Sequence, residues 1–294
     1  MTPTFQQFDI DDGAPYGITA TDDGAVWVTL IHTGEVAVLT PDHGFRRYAV
    51  GPPTCRPSVV ARGADGSMWF TRSGDGRLGR ITAEGAVTDF ELKTHSAPFG
   101  LCEGPDAAMW FTEMGTNRVG RISATGEITR FSMPCADAYP SFIANGPDGA
   151  LWLTLNRANA LARMTTSGTI SVHPLPTSDA MPVGITGTRD AIWFVEIGSG
   201  QIGRMAGDGA ISEFPLPDRA AKPHAIASTS TGVCWFTEWA TNRVGRITPS
   251  GEITEFDLPA SVAEPHGIAV DDAGAVWVAM ESGSVIRLLP DESA

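Results

Sequence analysis

Two short runs carry residues that could do chemistry together. Ala263-Glu-Pro-His-Gly-Ile268 sets a carboxylate and an imidazole on either side of a proline, and Val278-Ala-Met-Glu281 brings a second carboxylate shortly after. Carboxylate oxygens with room for water suit a hard cation such as Mg²⁺, whereas zinc draws on a closed set of His and Cys. An imidazole with an unperturbed pKa of about 6.5 accepts a proton at neutral pH. Pro223-His-Ala-Ile226 adds a second imidazole, and Pro15-Tyr-Gly-Ile18 a phenol. Taken singly, each of these side chains also reads as a solvated loop residue around a water-filled channel. Only elements that bring them to one place give them a joint meaning.

Those elements follow from a repeat. Trp27, Trp69, Trp110, Trp152, Trp193, Trp235 and Trp277 are spaced by 42, 41, 42, 41, 42 and 42 residues, a fixed period that marks a repeat architecture. Each is preceded by a Pro-x-x-apolar segment, at Pro15, Pro57, Pro98, Pro140, Pro182, Pro223 and Pro265. Pieces such as Asn242-Arg-Val-Gly-Arg-Ile-Thr248 and Gly251-Glu-Ile-Thr-Glu-Phe256 follow it. The apolar pieces are short, rich in Val, Ile, Phe and Trp, and parted by turn signals such as Asp22-Asp-Gly24, which predicts successive antiparallel strands. Four short strands per unit and seven units predict an all-β chain, a seven-bladed β-propeller forming a single domain. The last unit ends after a third strand, Ser284 to Leu289. The opening run Thr4-Phe-Gln-Gln-Phe-Asp-Ile10 resembles the fourth strand Ile253-Thr-Glu-Phe-Asp-Leu258. The N-terminal strand is therefore expected to complete the last blade and close the ring, removing two sheet edges.

The copies serve as controls for one another. Strand one runs from the Pro to the Asp/Gly turn and strand two returns through the Trp, so the Pro and the residues after the Trp share one end of the blade. Just after the Pro stand Tyr16, Ser58, Phe99, Ser141, Val183, His224 and His266. Just before it stand Ala14, Arg56, Ala97, Tyr139, Met181, Lys222 and Glu264. Four residues after the Trp the column reads Ile31, Ser73, Met114, Asn156, Ile197, Trp239 and Glu281, in which Glu281 is the only charge. Blade 7 alone combines Glu264, His266 and Glu281. The proline between Glu264 and His266 is expected to keep the segment extended, so that both side chains point to one side. Trp239 and Tyr16 offer apolar rings at the same rim. His32, His43, His95 and His173 fall outside these columns and read as surface or turn histidines. Glu113, Glu196 and Glu238 recur three residues after their Trp alongside Arg121, Arg204 and Arg246, and are expected to pair with them as scaffold.

Other classes find no support. Gly74-Asp-Gly-Arg-Leu-Gly79 matches a dinucleotide-binding pattern, but no strand-to-helix context surrounds it, and it is one blade's copy of the Asn-Arg-Val-Gly-Arg piece. The chain has no G-x-S-x-G and no H-E-x-x-H. A formal net charge of −14, with Lys93 and Lys222 the only lysines, leaves no basic face for nucleic acid. No apolar run approaches the roughly 20 residues that cross a bilayer, and Met1 to Asp12 has no leader character. A monomer in the cytoplasm, without membrane or nucleic-acid partners, is expected. Cys55, Cys102, Cys135 and Cys234 have no metal spacing and read as reduced, buried, small hydrophobes.

The runs Pro223-His-Ala-Ile226, Trp235-Phe-Thr-Glu-Trp239, Ala263-Glu-Pro-His-Gly-Ile268 and Val278-Ala-Met-Glu281 resemble those of the virginiamycin B lyases, also called streptogramin B lyases, and the similarity covers essentially the whole chain. The resemblance implies a seven-bladed, Mg²⁺-dependent propeller that opens the cyclic depsipeptide of type B streptogramins at its ester linkage by elimination, inactivating the antibiotic. It further implies that Glu264 and Glu281 hold the magnesium, that His266 is the general base, that His224 contacts the substrate and that Tyr16 lines the same pocket. Two departures are present: blade 1 has Val38 in place of the recurrent Arg, and Lys222 and Arg56 bring positive charge to the rim. From the residues alone, a metal-dependent propeller lactonase or esterase acting by hydrolysis and a non-catalytic binding propeller stay open. The clustering of Glu264, His266 and Glu281 in one blade speaks against the second.

Overall fold

The computed structural model describes residues 3–40 and 44–289; His43 lies outside the described residues. Its 28 strands form seven four-stranded antiparallel sheets arranged as the blades of a propeller. Blade 1 is Pro15–Ala20, Val26–Leu30, Glu35–Thr40 and Gly44–Ala49. Blade 7 is Pro265–Val270, Val276–Met280 and Ser284–Leu289, completed by Thr4–Asp9. That closing strand pairs in full register with Ser284–Leu289, from Thr4 opposite Leu289 to Asp9 opposite Ser284, as the sequence predicts.

Each blade is held by two repeated side-chain devices. The second-strand Trp stacks on an aromatic of the fourth strand, with ring centroids 5.1 Å apart in Trp69–Phe90 and 5.9 Å in Trp27–Tyr48. In blade 7 the partner is Phe8 from the N-terminal strand, at 5.8 Å, so closure also completes the stack. Blade 4 uses His173, 5.4 Å from Trp152. This histidine is therefore a strand residue serving as an aromatic ring, not a turn residue, whereas His95 does sit exposed in a turn at φ 63°. The second device is volume exchange across the central pair. Phe70, Phe111, Phe194 and Phe236 lie opposite glycines, and a Cβ on Gly120 would stand 2.1 Å from the Phe111 ring. Where the second-strand residue is smaller the partner grows, as in Leu153 opposite Ala162 and Val278 opposite Ile286.

Blades are joined by threonines. The buried hydroxyl of Thr29 accepts from the Gly17 N–H at 2.8 Å and donates to the Ser58 carbonyl of the next blade at 2.9 Å. Thr71, Thr112, Thr154 and Thr237 repeat the arrangement, while blades 5 and 7 have Val195 and Ala279 there. The recurrent arginines do not pair with the recurrent glutamates as expected. Arg121 lies opposite Trp110 in register and reaches Asp106 in the turn at 2.6 Å, where Asp106 also accepts the Trp110 indole N–H at 2.9 Å. Glu113 instead meets Arg130 of the fourth strand at 3.0 Å, Glu196 accepts from Ser199 and Gln201, and Glu238 from Thr241. The register explains this, because Arg121 stands with the Trp, three residues away from the glutamate. All four cysteines are free thiols; Cys55 and Cys234 are buried, Cys102 and Cys135 only partly.

Candidate functional site at one mouth of the channel

The first strand of every blade begins at its proline, and its ladder to the second strand is irregular between that proline and the residue three positions on, as between Pro265 and Ile268. The residue after the proline stands in this irregular stretch, at the mouth. Ring closure makes blades 7 and 1 neighbours, so Tyr16, from the start of the chain, lies 4.5 Å from His266, centroid to centroid. His224, from blade 6, lies 4.9 Å from His266 and nearly perpendicular to it. The Tyr16 hydroxyl is 3.4 Å from His224 Nε2. Three residues that are far apart in the sequence thus form one packed cluster. Trp239, 42 % exposed, stands at its edge with its ring 6.4 Å from that of His266.

Glu281 is the anionic centre of the cluster. Its Oε2 lies 2.5 Å from His266 Nε2 and its Oε1 lies 2.8 Å from His32 Nε2. The His266 ring and then His32 hold its carboxyl below the usual carboxylate range, against the opposing effect of partial burial. Burial pushes the His224 imidazole down to about 3, helped by the neighbouring His266, so His224 is neutral at physiological pH. Burial and the Glu281 charge raise the Tyr16 phenol above its ordinary range. Both ring nitrogens of His266 and Nδ1 of His224 are buried without a hydrogen-bond partner; the close approach of His266 to Glu281 is out of line for one. Buried polar atoms left without a partner are uncommon, and a catalytic role is one reason for them.

Glu264 departs from the sequence expectation. Its φ is +61°, left-handed, and the same holds for the residue before the proline in five other blades, from Ala97 at 44° to Lys222 at 55°. The segment is therefore not extended at this point, and alternation does not place the Glu264 side chain beside His266. The carbonyl before the proline accepts the N–H four residues after the Trp in most blades, in this one Glu281 N–H to Glu264 C=O at 3.0 Å. Glu264 is exposed at the rim and tied to Glu281 through that backbone bond. His32 is an exposed turn histidine, as the sequence predicts, and its ring also reaches Glu281. It stands one residue beyond the column four after the Trp, so column matching passes over it, and its contact partner belongs to the blade that ring closure brings alongside.

Among the described residues, no three His, Cys, Asp or Glu side chains are grouped as a ready metal cage. Glu264 and Glu281 are oxygen donors on one rim, and such a set fits a hard cation that keeps several waters and takes its remaining contacts from substrate. Size alone does not select this site. A hollow of about 860 Å³ lies at the opposite end of the junction between blades 7 and 1, against Phe8, Asp22, Asp271, Trp277 and Arg287, with no imidazole among its described lining residues. The channel space against Tyr16, Phe142, His224 and Ile268 is about 80 Å³.

The model of the virginiamycin B lyase family matches residues 3–288. The chain belongs to the virginiamycin B lyase family. Virginiamycin B lyase from Staphylococcus aureus superposes with a TM-score of 0.94 at 38 % identity, covering 98 % of this chain and 99 % of that one. A catalytically inactive histidine-to-alanine variant of the S. aureus lyase, solved with quinupristin, superposes equally well, with a TM-score of 0.94 at 39 % identity. Among sequence relatives, the virginiamycin B lyase of Nocardia farcinica is 42 % identical over 91 residues, an alignment that takes in 31 % of each chain. Among the described residues no helix is long and apolar enough to cross a membrane.

Proposed function

We propose that the chain is a carbon–oxygen lyase that linearises type B streptogramin cyclic depsipeptides at the ester linkage by elimination, thereby inactivating them. The observation that carries the proposal is the His266 ring, its nitrogens free of hydrogen bonds, packed between Glu281, Tyr16 and His224 in a family propeller. His266 is the general base and takes the proton from the Cα of the threonine-derived residue. The electron pair released becomes the Cα–Cβ double bond, the Cβ–O bond breaks, and the ester carboxylate leaves with that bond's pair. A carboxylate is a weak base, so no strong general acid is required, which agrees with the lack of one among His266, His224 and Tyr16. Glu281 orients the His266 ring and favours its protonated form after transfer. Neutral His224 and un-ionised Tyr16 contact the substrate and position it over His266. Glu264 and Glu281 are the residues that would hold Mg²⁺. When bound, the cation would supply positive charge to the carbonyl beside the carbon that loses its proton. On this reading the enzyme acts as a monomer in the cytoplasm on a small molecule.

The test is mass spectrometry of the protein incubated with a type B streptogramin and Mg²⁺ in ¹⁸O water, with EDTA and His266→Ala controls. A linear product of unchanged mass, lost in both controls, is expected. A gain of one labelled water means hydrolysis and overturns elimination. An untouched antibiotic overturns the substrate class.

A further inference from the structure

The junction between blades 7 and 1 lacks a bond that most junctions have. In five blades a threonine hydroxyl donates to the carbonyl of the residue that follows the next blade's proline, at 2.6 Å for Thr154 and 2.9 Å for Thr29 and Thr71. Blade 7 carries Ala279 at that position and can make no such bond to Tyr16. At the mouth, the side-chain link across this junction is His32 of blade 1, with Nε2 2.8 Å from Glu281 Oε1. Glu281 is therefore held from two blades at once, one oxygen toward His32 and the other toward His266. His32 is largely exposed, at 59 % of its side chain, and a neutral imidazole carrying its proton on Nε2 donates this bond as a cation would.

We infer that His32 is a positioning residue. By holding Oε1 of Glu281 across the junction, it keeps Oε2 against the His266 ring and fixes the carboxylate's approach to a bound cation. Blade 1 thus supports the reacting group twice, through Tyr16 packed on the His266 ring and through His32 acting on its carboxylate partner. The kinetic consequence rests on the lyase reading; the structural one does not.

Three variants test it: His32→Ala, His32→Gln, and His32→Ala combined with Ala279→Thr. For His32→Ala, kcat is expected to fall roughly tenfold with KM little changed, the size of one hydrogen bond to a charged group. Calorimetry of Mg²⁺ alone on the substrate-free protein is expected to show binding weakened severalfold. The ring resonances of His266, followed by NMR, are expected to move. His32→Gln, whose amide N–H can reach the same oxygen, is expected to restore all three. Ala279→Thr supplies the missing junction bond without touching the carboxylate, so the double variant is expected to stay at the His32→Ala level. Recovery in the double variant would show that His32 only fastens the junction, and wild-type His266 resonances and Mg²⁺ binding in His32→Ala would equally overturn the inference. If the wild-type protein leaves the antibiotic intact while the resonances and Mg²⁺ binding respond as described, the lyase reading fails and the positioning role stands.

Discussion

Glu238 titrates with folding, and Glu238→Gln isolates the effect. Its carboxyl is fully buried, with Oε2 accepting from Thr241 at 2.9 Å and Oε1 left without a partner. Glu255, on the fourth strand of the same blade, is the neighbouring carboxylate, and Arg243 approaches it only to 3.5 Å. Blade 3 places Arg130 at the equivalent position, 3.0 Å from Glu113, so blade 6 has a second acid where blade 3 has a counter-ion. Burial first, and the Glu255 charge after it, push the Glu238 carboxyl from 4.5 up to about 7. A carboxyl with a raised folded-state pKa binds its proton more tightly folded than unfolded, so stability falls as pH rises from about 4.5 to about 7 and stays lower above that window. At about 1.4 kcal/mol per pKa unit, ionising Glu238 in the folded protein costs about 3 kcal/mol. Glutamine imitates the protonated acid and cannot ionise. Glu238→Gln is therefore expected to be near neutral at about pH 4, where the acid is protonated in both the folded and the unfolded state, and at about pH 8.5 to raise stability by about 3 kcal/mol, seen as a melting temperature higher by roughly 5–10 °C. Urea melts at both pH values give the two differences. Equal differences at both would refute the reasoning, because the gain would then be independent of charge.

Other consequences are smaller in scope. Glu196, with Glu213 opposite, is pushed to about 7 by burial and that neighbour, so Glu196→Gln should repeat the pH-dependent gain and add to Glu238→Gln, as denaturant melts of the double variant will measure. His224, depressed to about 3 by burial, should show no protonation in an NMR titration from neutral pH down to about 5; its folded-state resistance to charging means that stability is lost as pH falls below about 6.5. Gly120→Ala places a Cβ against the Phe111 ring and should destabilise by about 1–3 kcal/mol, with recovery on adding Phe111→Leu, the combination that blade 4 has in Leu153 and Ala162. Thr237→Val removes the donor to the His266 carbonyl at 2.8 Å and the acceptor for the Ala225 N–H at 3.1 Å. It should lower stability by about 1–3 kcal/mol, measured by thermal melts, whereas Val at the equivalent position of blade 5 is native.

The periodic tryptophans determined the architecture, because a unit that cannot bury its own faces must stack on copies of itself, and a missing fourth strand at one end with a spare one at the other allows only closure. The same repeat exposed blade 7, since a charge in a column otherwise without one is visible by comparison alone. Tertiary structure decided the rest. It set the backbone of Glu264 left-handed, with its carbonyl bonded to the Glu281 N–H, and this cancels the alternation that local sequence would impose. It joined Arg121 to Asp106 and Arg130 to Glu113, because strand register and not sequence spacing chooses partners. And it brought His32 and Tyr16 from the first blade to Glu281 and His266 of the last, contacts between residues some 250 positions apart that exist only because the ring closes.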